Sequence, residues 1–280
     1  MSVPRDLKAV TALFDRCAPK YDSPVLRFVP YAADVLVEAM NPRPGMRFLD
    51  VGTGTGSVAI AAAQRVIPEG RVSAIDVSER MLDRAFANAT KNAVAAHIDF
   101  FDMDAQALEY RKDYFDKVAL CDVLAWLPDP LAALRSIKRV MKPGAAVHAL
   151  SFAETAFQPM LDLFRTTVME LGGEAASGDE PGNPLRFADP TMLKHLFEEA
   201  GFADVETRRV ELRYHLARAD EWWEIVTASG IRAAIEDLPA DSFAKLRLAH
   251  LDMVDGLVGE NGLPLDCSAV LVTAKRPFEV

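Results

Sequence analysis

The segment that decides the fold is Phe48-Leu49-Asp50-Val51-Gly52-Thr53-Gly54-Thr55-Gly56-Ser57. Its first half is apolar, which predicts a buried strand, and its second half opens a helix. Alternating glycines stand at the junction, where they let the backbone turn sharply and let a ligand approach main-chain atoms. The segment therefore predicts a ligand-binding turn between a strand and a helix.

This segment begins an alternation of short apolar runs and helical stretches that reaches about residue 212. The runs predict strands at 46–51, 71–76, 97–102, 117–122, 145–151 and 205–212, and a last strand at 269–274. Asp129-Pro130 and Asp189-Pro190 mark two helix starts. Strands that alternate with helices of this length form parallel sheets covered on both faces. We expect an α/β, Rossmann-like, doubly wound and mostly parallel seven-stranded sheet, with its last strand antiparallel.

Other regions fall outside this alternation. Residues 1–44 predict short helices, which we expect to form an N-terminal lid on a Rossmann-like core at 45–213. Within that core, residues 172–190 are rich in Gly and Pro and predict a long flexible connection. Residues 214–265 predict a helical cap inserted before the last strand, which returns to the core at 266–280.

The composition is that of a folded globular protein with an acidic balance. The 280 residues carry a formal net charge of −10, whereas a protein that follows a phosphate backbone usually has a basic stripe, so we expect no nucleic-acid partner. No apolar run is long enough to cross a bilayer, and the N-terminus lacks a signal-peptide core, so we expect no membrane partner. Three widely spaced cysteines fit neither a disulfide framework nor a zinc site and favour a reducing, cytoplasmic location.

The glycine spacing separates two kinds of nucleotide site. The dinucleotide fingerprint Gly-x-Gly-x-x-Gly would require glycine at position 57, where this chain has Ser57. The spacing at 50–56 is instead Asp-x-Gly-x-Gly-x-Gly, which resembles motif I of class I S-adenosylmethionine-dependent methyltransferases. An NAD-dependent oxidoreductase stays an alternative, because it shares the glycine turn.

Two acidic residues extend the motif. Asp76 ends the second predicted strand twenty residues after Gly56, where a carboxylate can accept hydrogen bonds from both ribose hydroxyls of an adenosine. Its alternative role is at the start of the next helix, where Ser78 could equally be the N-cap. Asp104-Ala105 resembles the Asp-Ala pair that holds adenine in class I methyltransferases, with the carboxylate accepting from the exocyclic amine. All three elements lie at the carboxyl ends of predicted strands, where doubly wound folds bind ligands.

Over roughly residues 12–152 the chain resembles the ubiquinone and menaquinone biosynthesis C-methyltransferase family. The likeness lies in residues 12–22, 114–122, 127–130 and 139–144. It implies S-adenosylmethionine as cofactor, held by Tyr21, Asp50, Gly52, Thr53, Gly54, Thr55, Gly56, Asp76, Val77, Met81, Met103, Asp104, Ala105 and Cys121. Packing roles stay open for Tyr21 and Cys121.

The insertion at 214–265 departs from that family, whose members reach their last strand soon after the sixth. We expect it to lie over the carboxyl ends of the strands and to form part of the substrate chamber, so quinone substrates are not carried over. Most of its apolar residues, such as Trp222, Trp223 and Phe243, are expected to form the cap's own core. We hypothesise methyl transfer to a carbon or oxygen of a small, partly apolar metabolite, with Trp126 near the methyl group. A non-methylating S-adenosylmethionine-binding protein on the same fold stays an alternative.

The sequence assigns no catalytic residue. A sulfonium already activates its methyl group, so positioning can supply much of the catalysis, and a base is useful only if the acceptor loses a proton. His97 and His148 lie on predicted strands and favour structural roles, whereas His215 and His250, beside or within the insertion, are better candidates for a base. No ligand cluster resembles a divalent-metal site, so we expect no metal. The helical regions could pair two chains as a homodimer, which the sequence leaves open.

Overall fold

The computed structural model describes residues 6–278, with a seven-stranded sheet at the centre. Residues 1–5 of the predicted lid and residues 279–280 of the predicted last segment lie outside the described residues. The strands of the sheet are β1 (Arg47–Val51), β2 (Arg71–Asp76), β3 (Ile98–Asp102), β4 (Phe115–Cys121), β5 (Met141–Phe152), β6 (Ala203–Val210) and β9 (Ala269–Lys275). A separate two-stranded sheet consists of β7 (Arg213–Leu216) and β8 (Leu263–Asp266).

The strand order of the main sheet is β3-β2-β1-β4-β5-β9-β6. Neighbours from β3 to β5 pair in parallel, whereas β9 pairs antiparallel with both β5 and β6. The expected mostly parallel seven-stranded sheet with an antiparallel last strand is confirmed. The chain order reverses between β1 and β4, and doubly wound folds bind ligands at such a switch point, outside the carboxyl ends of the strands.

The helices alternate with the strands as the pattern predicts. They are α1 (Leu7–Cys17), α2 (Phe28–Met40), α3 (Ser57–Val66), α4 (Glu79–Lys91), α5 (Pro130–Val140), α6 (Met160–Glu170), α7 (Pro190–Glu199), α8 (Ala219–Ala228) and α9 (Ala240–Asp255). The two Asp-Pro pairs start helices as predicted: the carboxylate of Asp129 accepts the N–H of Ala132 (2.8 Å), and that of Asp189 accepts the N–H of Thr191 (2.8 Å). Among the helices of residues 6–278, none has the length and apolar character to span a bilayer.

Helices cover both faces of the sheet. Side chains alternate between the two faces along each strand. Phe48 of β1 belongs to the core that includes α2 and α3, whereas its neighbour Leu49 belongs to the core that includes α5 and α7. In β5 the same alternation separates Leu150 from Ala149. The carboxyl ends of these strands are therefore held rigidly from both sides.

The sequence does not predict the β7–β8 pair. In it, Arg213 lies opposite Asp266, so that the two ends of the insertion are joined beside the main sheet. The predicted end of the sixth strand is wrong: β6 stops at Val210, because the carbonyl of Leu212 instead accepts the N–H of Cys267 (2.7 Å).

The predicted start of the third strand is also wrong. His97 ends a 3₁₀ turn (Ala95–His97), and its N–H donates to the carbonyl of Val94 (2.9 Å) rather than to a neighbouring strand. Strand β3 therefore begins one residue later, at Ile98.

The insertion contains α8 and α9, and its aromatic residues are buried where these helices meet. Trp222 is fully buried and donates its indole N–H to Nε2 of His250 (2.8 Å). Trp223 makes an edge-to-face contact with Phe243 (ring centroids 5.7 Å apart). The expected helices are present. Both tryptophans are core residues, but they also pack against Phe157 and Phe164 outside the insertion, and Phe243 is half-buried.

The insertion reaches the N-terminal helix through the segment that follows α8. The thiol of Cys17, which ends α1, donates to the carbonyl of Ser229 (3.3 Å). Arg16 pairs with Glu236 (2.7 Å). These contacts join α1 to the insertion.

Candidate active site at the carboxyl ends of the strands

The glycine loop joins β1 to α3. Gly52, Gly54 and Gly56 adopt left-handed φ values of 66°, 53° and 91°, which glycine tolerates at little cost. A Cβ at Gly52 would lie 2.5 Å from a methyl carbon of Val123, in the segment after β4. The loop therefore needs glycine at Gly52 for space as well as for conformation.

Asp76 is the last residue of β2. Its Oδ2 accepts the N–H of Gly54 (2.8 Å), and its Oδ1 accepts the N–H of Ser78 (3.0 Å). Ser78, and not Asp76, is the N-cap of α4, since its hydroxyl accepts the N–H of Met81 (3.1 Å). Burial raises the pKa of Asp76 to about 6, although these hydrogen bonds oppose the shift.

Asp104 lies just after β3 and begins a 3₁₀ turn. Its Oδ1 accepts the N–H of Gln106 (2.8 Å), which fixes the carboxylate beside the backbone of buried Ala105. The N–H of Met103 donates to the carbonyl of Asp76 (3.1 Å), so that the two acidic positions are joined through the main chain.

The loop and both acids border one cavity. The residues predicted for the cofactor that line it are Tyr21, Gly52, Gly54, Asp76, Val77, Met81, Met103, Asp104, Ala105 and Cys121. The fold thus brings together groups that lie up to 100 positions apart in the sequence.

The other predicted cofactor residues shape the loop and are not among those lining the cavity. Buried Asp50 accepts a hydrogen bond from the hydroxyl of Thr53 (2.7 Å), and burial raises the pKa of Asp50 to about 7. The carbonyl of Thr55 accepts from Nδ2 of Asn88 (3.0 Å), while Gly56 is the N-cap of α3.

Further residues that the sequence did not assign to the cofactor line the same cavity. They are Leu7, Val10, Phe14, Ile75, Asp122, Val123 and Leu127; Trp126, expected near the methyl group, lines it too. Leu7 and Val10 lie on amphipathic α1, whose apolar face was the available signal. The signal for Asp122 was an acidic residue at the end of a predicted parallel strand, the same placement that marked Asp76.

A second cavity adjoins the first, and we call it the chamber. Its lining residues are Tyr21, Phe28, Val29, Ala32, Cys121, Asp122, Leu150, Ser151, Phe152, Leu212, Cys267 and Ala269. Tyr21, Cys121 and Asp122 line both cavities. The chamber therefore meets the candidate cofactor cavity at three side chains beside the end of β4.

The expectation that the insertion forms part of the chamber is wrong. No residue of 214–265 is among those lining either cavity. The insertion instead packs behind Trp126, against which Gly230 lies, while the ring of Phe14 contacts the same indole from α1 (centroids 5.2 Å apart). It supports the wall of the cofactor cavity from outside.

The two histidines that the sequence left as better candidates for a base are not among the residues lining either cavity. His250 is fully buried against Trp222, and burial lowers its pKa to about 4. His215 is exposed on β7. Its main-chain carbonyl accepts a hydrogen bond from the guanidinium of Arg27 (2.6 Å). His148 is buried in β5, as a structural residue would be. Within residues 6–278, no group of three or more His, Cys, Asp or Glu side chains is arranged to hold a metal ion.

The topology, the glycine loop after β1 and the acids after β2 and β3 together define a class I S-adenosylmethionine-dependent methyltransferase. The chain belongs to the ubiE/COQ5 methyltransferase family, whose model matches residues 2–212. S-adenosylmethionine is accordingly its cofactor, which decides against the NAD-dependent oxidoreductase.

Individual relatives agree with this assignment. A demethylmenaquinone methyltransferase of Staphylococcus aureus (strain JH9) is 34% identical over 182 residues, which cover 62% of this chain and 74% of the relative. A SAM-dependent methyltransferase from Aquifex aeolicus has a similar structure (TM-score 0.53, 23% identity, 70% of this chain and 90% of that chain). The cyclase SpnF shares the fold as well (TM-score 0.58, 21% identity, 89% and 82%). At these identities the two structures bear on the fold alone.

Proposed function

We propose that this methyltransferase transfers a methyl group to a carbon or oxygen of a small, largely apolar acceptor seated in the chamber. The observation that carries the proposal is the junction of the two cavities at Tyr21, Cys121 and Asp122. A methyl donor in one cavity and an acceptor in the other would meet there. Holding two reactants in contact removes much of the entropic cost of their reaction.

The cofactor cavity fits S-adenosylmethionine in its polar groups. Asp76 would accept the ribose hydroxyls, because a carboxylate has about four acceptor sites and the backbone does not use them all. Asp104 would accept from the adenine amine, beside the main chain of Ala105. Bound S-adenosylmethionine supplies a methyl group on a positively charged sulfur, which is a good leaving group.

The remaining predicted residues would hold the cofactor in two ways. Val77, Met81 and Met103 add an apolar wall to the cavity. Asp50, Thr53, Thr55 and Gly56 would act through the shape of the loop that they hold, and Gly52 and Gly54 by leaving room for the ligand.

The chamber favours an apolar acceptor that carries few polar groups. Its walls are mainly aliphatic and aromatic, from α2 and from the ends of β5 and β9, with Phe28 and Phe152 in edge-to-face contact (5.7 Å). A reduced demethylated quinone with a short side chain is one acceptor of this kind, and the name of the Staphylococcus aureus relative makes it the first to test.

The decisive experiment measures transfer of labelled methyl from S-adenosylmethionine to a panel of acceptors. The panel contains a short-chain demethylmenaquinol and simple phenols, each extracted and counted. We expect transfer to at least one of them. If the protein binds S-adenosylhomocysteine but labels no acceptor of this class, the proposal is wrong, and a non-methylating binder on this fold is favoured.

A matched pair of variants on α2 tests the chamber. Ala32 lines it, whereas Ala39, equally half-buried on the same helix, does not. Ala32→Leu should raise the KM for the acceptor and leave the Kd for S-adenosylhomocysteine unchanged, because only the chamber is narrowed. Ala39→Leu should leave both at the wild-type value. Equal effects of the two substitutions on the acceptor KM would contradict the seating of the acceptor in the chamber.

A further inference from the structure

We infer that Asp122 is the catalytic base, whose carboxylate takes the proton that the acceptor releases as it is methylated. This inference rests on the proposed function. It concerns a side chain that neither the glycine motif nor the downstream acids mark, and it replaces the histidines as the source of acid–base chemistry.

The backbone at Asp122 is set to direct this side chain into the site. The residue comes directly after β4 and has a φ of 60°, a left-handed value that is uncommon outside glycine. Its N–H donates to the carbonyl of Leu150 at the end of β5 (2.9 Å), which fixes the turn. Such conformations have a free-energy cost and cluster at functional sites, where the surrounding structure maintains them.

The carboxyl of Asp122 stands where the two cavities meet. It is half-buried, and the N–H of Phe152 donates to it. The titratable groups near it are Tyr21 from the segment after α1, Cys121 at the end of β4, and Cys267 before β9. Among the described residues that line either cavity there is no Lys or Arg. No Lys or Arg side chain therefore faces the carboxyl from the described walls of either cavity.

Burial makes this carboxyl a stronger base than an exposed aspartate. It raises the pKa of Asp122 well above its usual range, so that the carboxylate binds a proton more tightly than an exposed one would. Burial also raises the pKa of Tyr21, so that its hydroxyl stays protonated at neutral pH.

The step balances with these groups alone. An oxygen or carbon of the acceptor forms a bond to the methyl carbon, and the methyl–sulfur bond breaks with its electron pair going to sulfur. The positive sulfur becomes a neutral thioether, and the proton of the acceptor passes to the carboxylate of Asp122, which returns it to solvent. The acceptor class is therefore one that carries an acidic proton at or beside the methylated atom, such as a phenol or a quinol.

Asp122→Asn tests the inference, because asparagine keeps the shape and tolerates a left-handed φ but accepts no proton. With the acceptor identified in the methyl-transfer assay, we expect kcat to fall about 10²–10⁴-fold, a usual contribution of a positioned base. The acid-side limb of the kcat profile, where wild-type activity falls as the pH drops and the carboxyl is protonated, should disappear. The Kd for S-adenosylhomocysteine, measured by titration calorimetry, should change little.

The matched control is Asp204→Asn. Asp204 also has a left-handed φ (49°), but it is exposed and pairs with Lys275 away from both cavities. It should leave kcat, its pH profile and cofactor affinity unchanged, so that a loss specific to Asp122→Asn is not due to the exchange of aspartate for asparagine at a strained position. Asp122→Glu, which keeps a carboxylate, should recover part of the rate.

The outcomes are distinguishable. An unchanged kcat and pH profile in Asp122→Asn, with a wild-type enzyme that methylates the acceptor, overturns this inference and leaves the proposed function standing. A loss of S-adenosylhomocysteine affinity of more than about tenfold assigns the carboxylate to the cofactor instead and also overturns it. A wild-type enzyme that methylates no proton-bearing acceptor contradicts the proposed function and this inference together.

Discussion

The indole of Trp126 lies against the main chain of Gly230, so closely that a Cβ on Gly230 would overlap the ring. Trp126 lines the cofactor cavity from the segment after β4, whereas Gly230 belongs to the insertion. Through this contact the insertion supports the wall of the cofactor cavity, although no residue of 214–265 lines that cavity.

Gly230→Ala should therefore displace Trp126 and disturb the cavity. Overpacking of this kind usually costs about 1–3 kcal/mol, so we expect a lower Tm and a weaker affinity for S-adenosylhomocysteine. Calorimetry measures both. The control is Gly256→Ala, since Gly256 has a right-handed helical φ (−64°) and a Cβ there would make only an ordinary contact. If the two variants had the same Tm and the same cofactor affinity, the proposed coupling would be wrong.

Two glycines of the loop should respond differently to alanine. Both Gly52 and Gly54 have left-handed φ values, so each substitution carries a backbone cost of about 1–2 kcal/mol. Only at Gly52 would the new methyl also collide with Val123, at 2.5 Å; at Gly54 it would face Tyr21 at 3.8 Å, on the cavity side. Gly52→Ala should lose more stability, whereas Gly54→Ala should mainly lose cofactor affinity.

Chemical denaturation and S-adenosylhomocysteine titration of the two loop variants check this prediction. Equal losses of unfolding free energy would show that the Val123 contact relaxes without cost. An unaltered affinity in Gly54→Ala would show that the cofactor does not approach the loop there.

Cofactor affinity should depend on pH through Asp76. Burial holds the pKa of this carboxyl at about 6, and the ribose hydroxyls need the ionised form as acceptor. Affinity for S-adenosylhomocysteine should hence be highest above that pKa and fall by up to about tenfold for each pH unit below it. Asp76→Asn should bind weakly at every pH, with a flatter profile.

One control variant and two other carboxyls bear on the interpretation of the pH profile. Asp83→Asn changes an exposed acid of α4 and should keep the wild-type pH dependence. Burial also raises the pKa of Asp50, to about 7, and that of Asp122, so a slope left in Asp76→Asn would come from these two carboxyls. A wild-type affinity that does not change from about pH 8 to about pH 5 would refute the role of Asp76 as an ionised acceptor.

The three thiols should be unreactive in the folded protein. Burial raises the pKa of Cys17 to about 12 and also raises those of Cys121 and Cys267, so that almost no thiolate is present at pH 8. We expect a disulfide reagent to label the native protein about 100-fold or more slowly than the guanidinium-unfolded chain, in which all three react. Cys121 borders the cofactor cavity, so S-adenosylhomocysteine should slow its labelling further. Rapid labelling of any of the three in the native state is the contrary result.

Local sequence patterns determined the sheet and most of the cofactor cavity. Short apolar runs and helical spacing located seven strands and the helices between them, and the errors in the sheet were confined to element ends and to the β7–β8 pair. The predicted cofactor groups lie at or beside strand ends: the glycine loop at 50–56, Asp76 and Asp104. Their chemistry could be inferred from short motifs and from the family resemblance that these motifs carry. The fold then brings every parallel strand end to one edge, which is why such residues meet.

Only the tertiary structure decided how the chamber is built and which group could act as a base. The chamber joins α2, the end of β5 and the residues beside β9, segments more than 100 positions apart, and no local pattern encodes that contact. The direction of Asp122 depends on one left-handed φ, and the exclusion of His250 depends on its burial against Trp222. The sequence therefore indicated the methyl donor, because the groups predicted to bind it lie at strand ends. The proposed site of the acceptor and the contacts of the insertion depend instead on long-range packing.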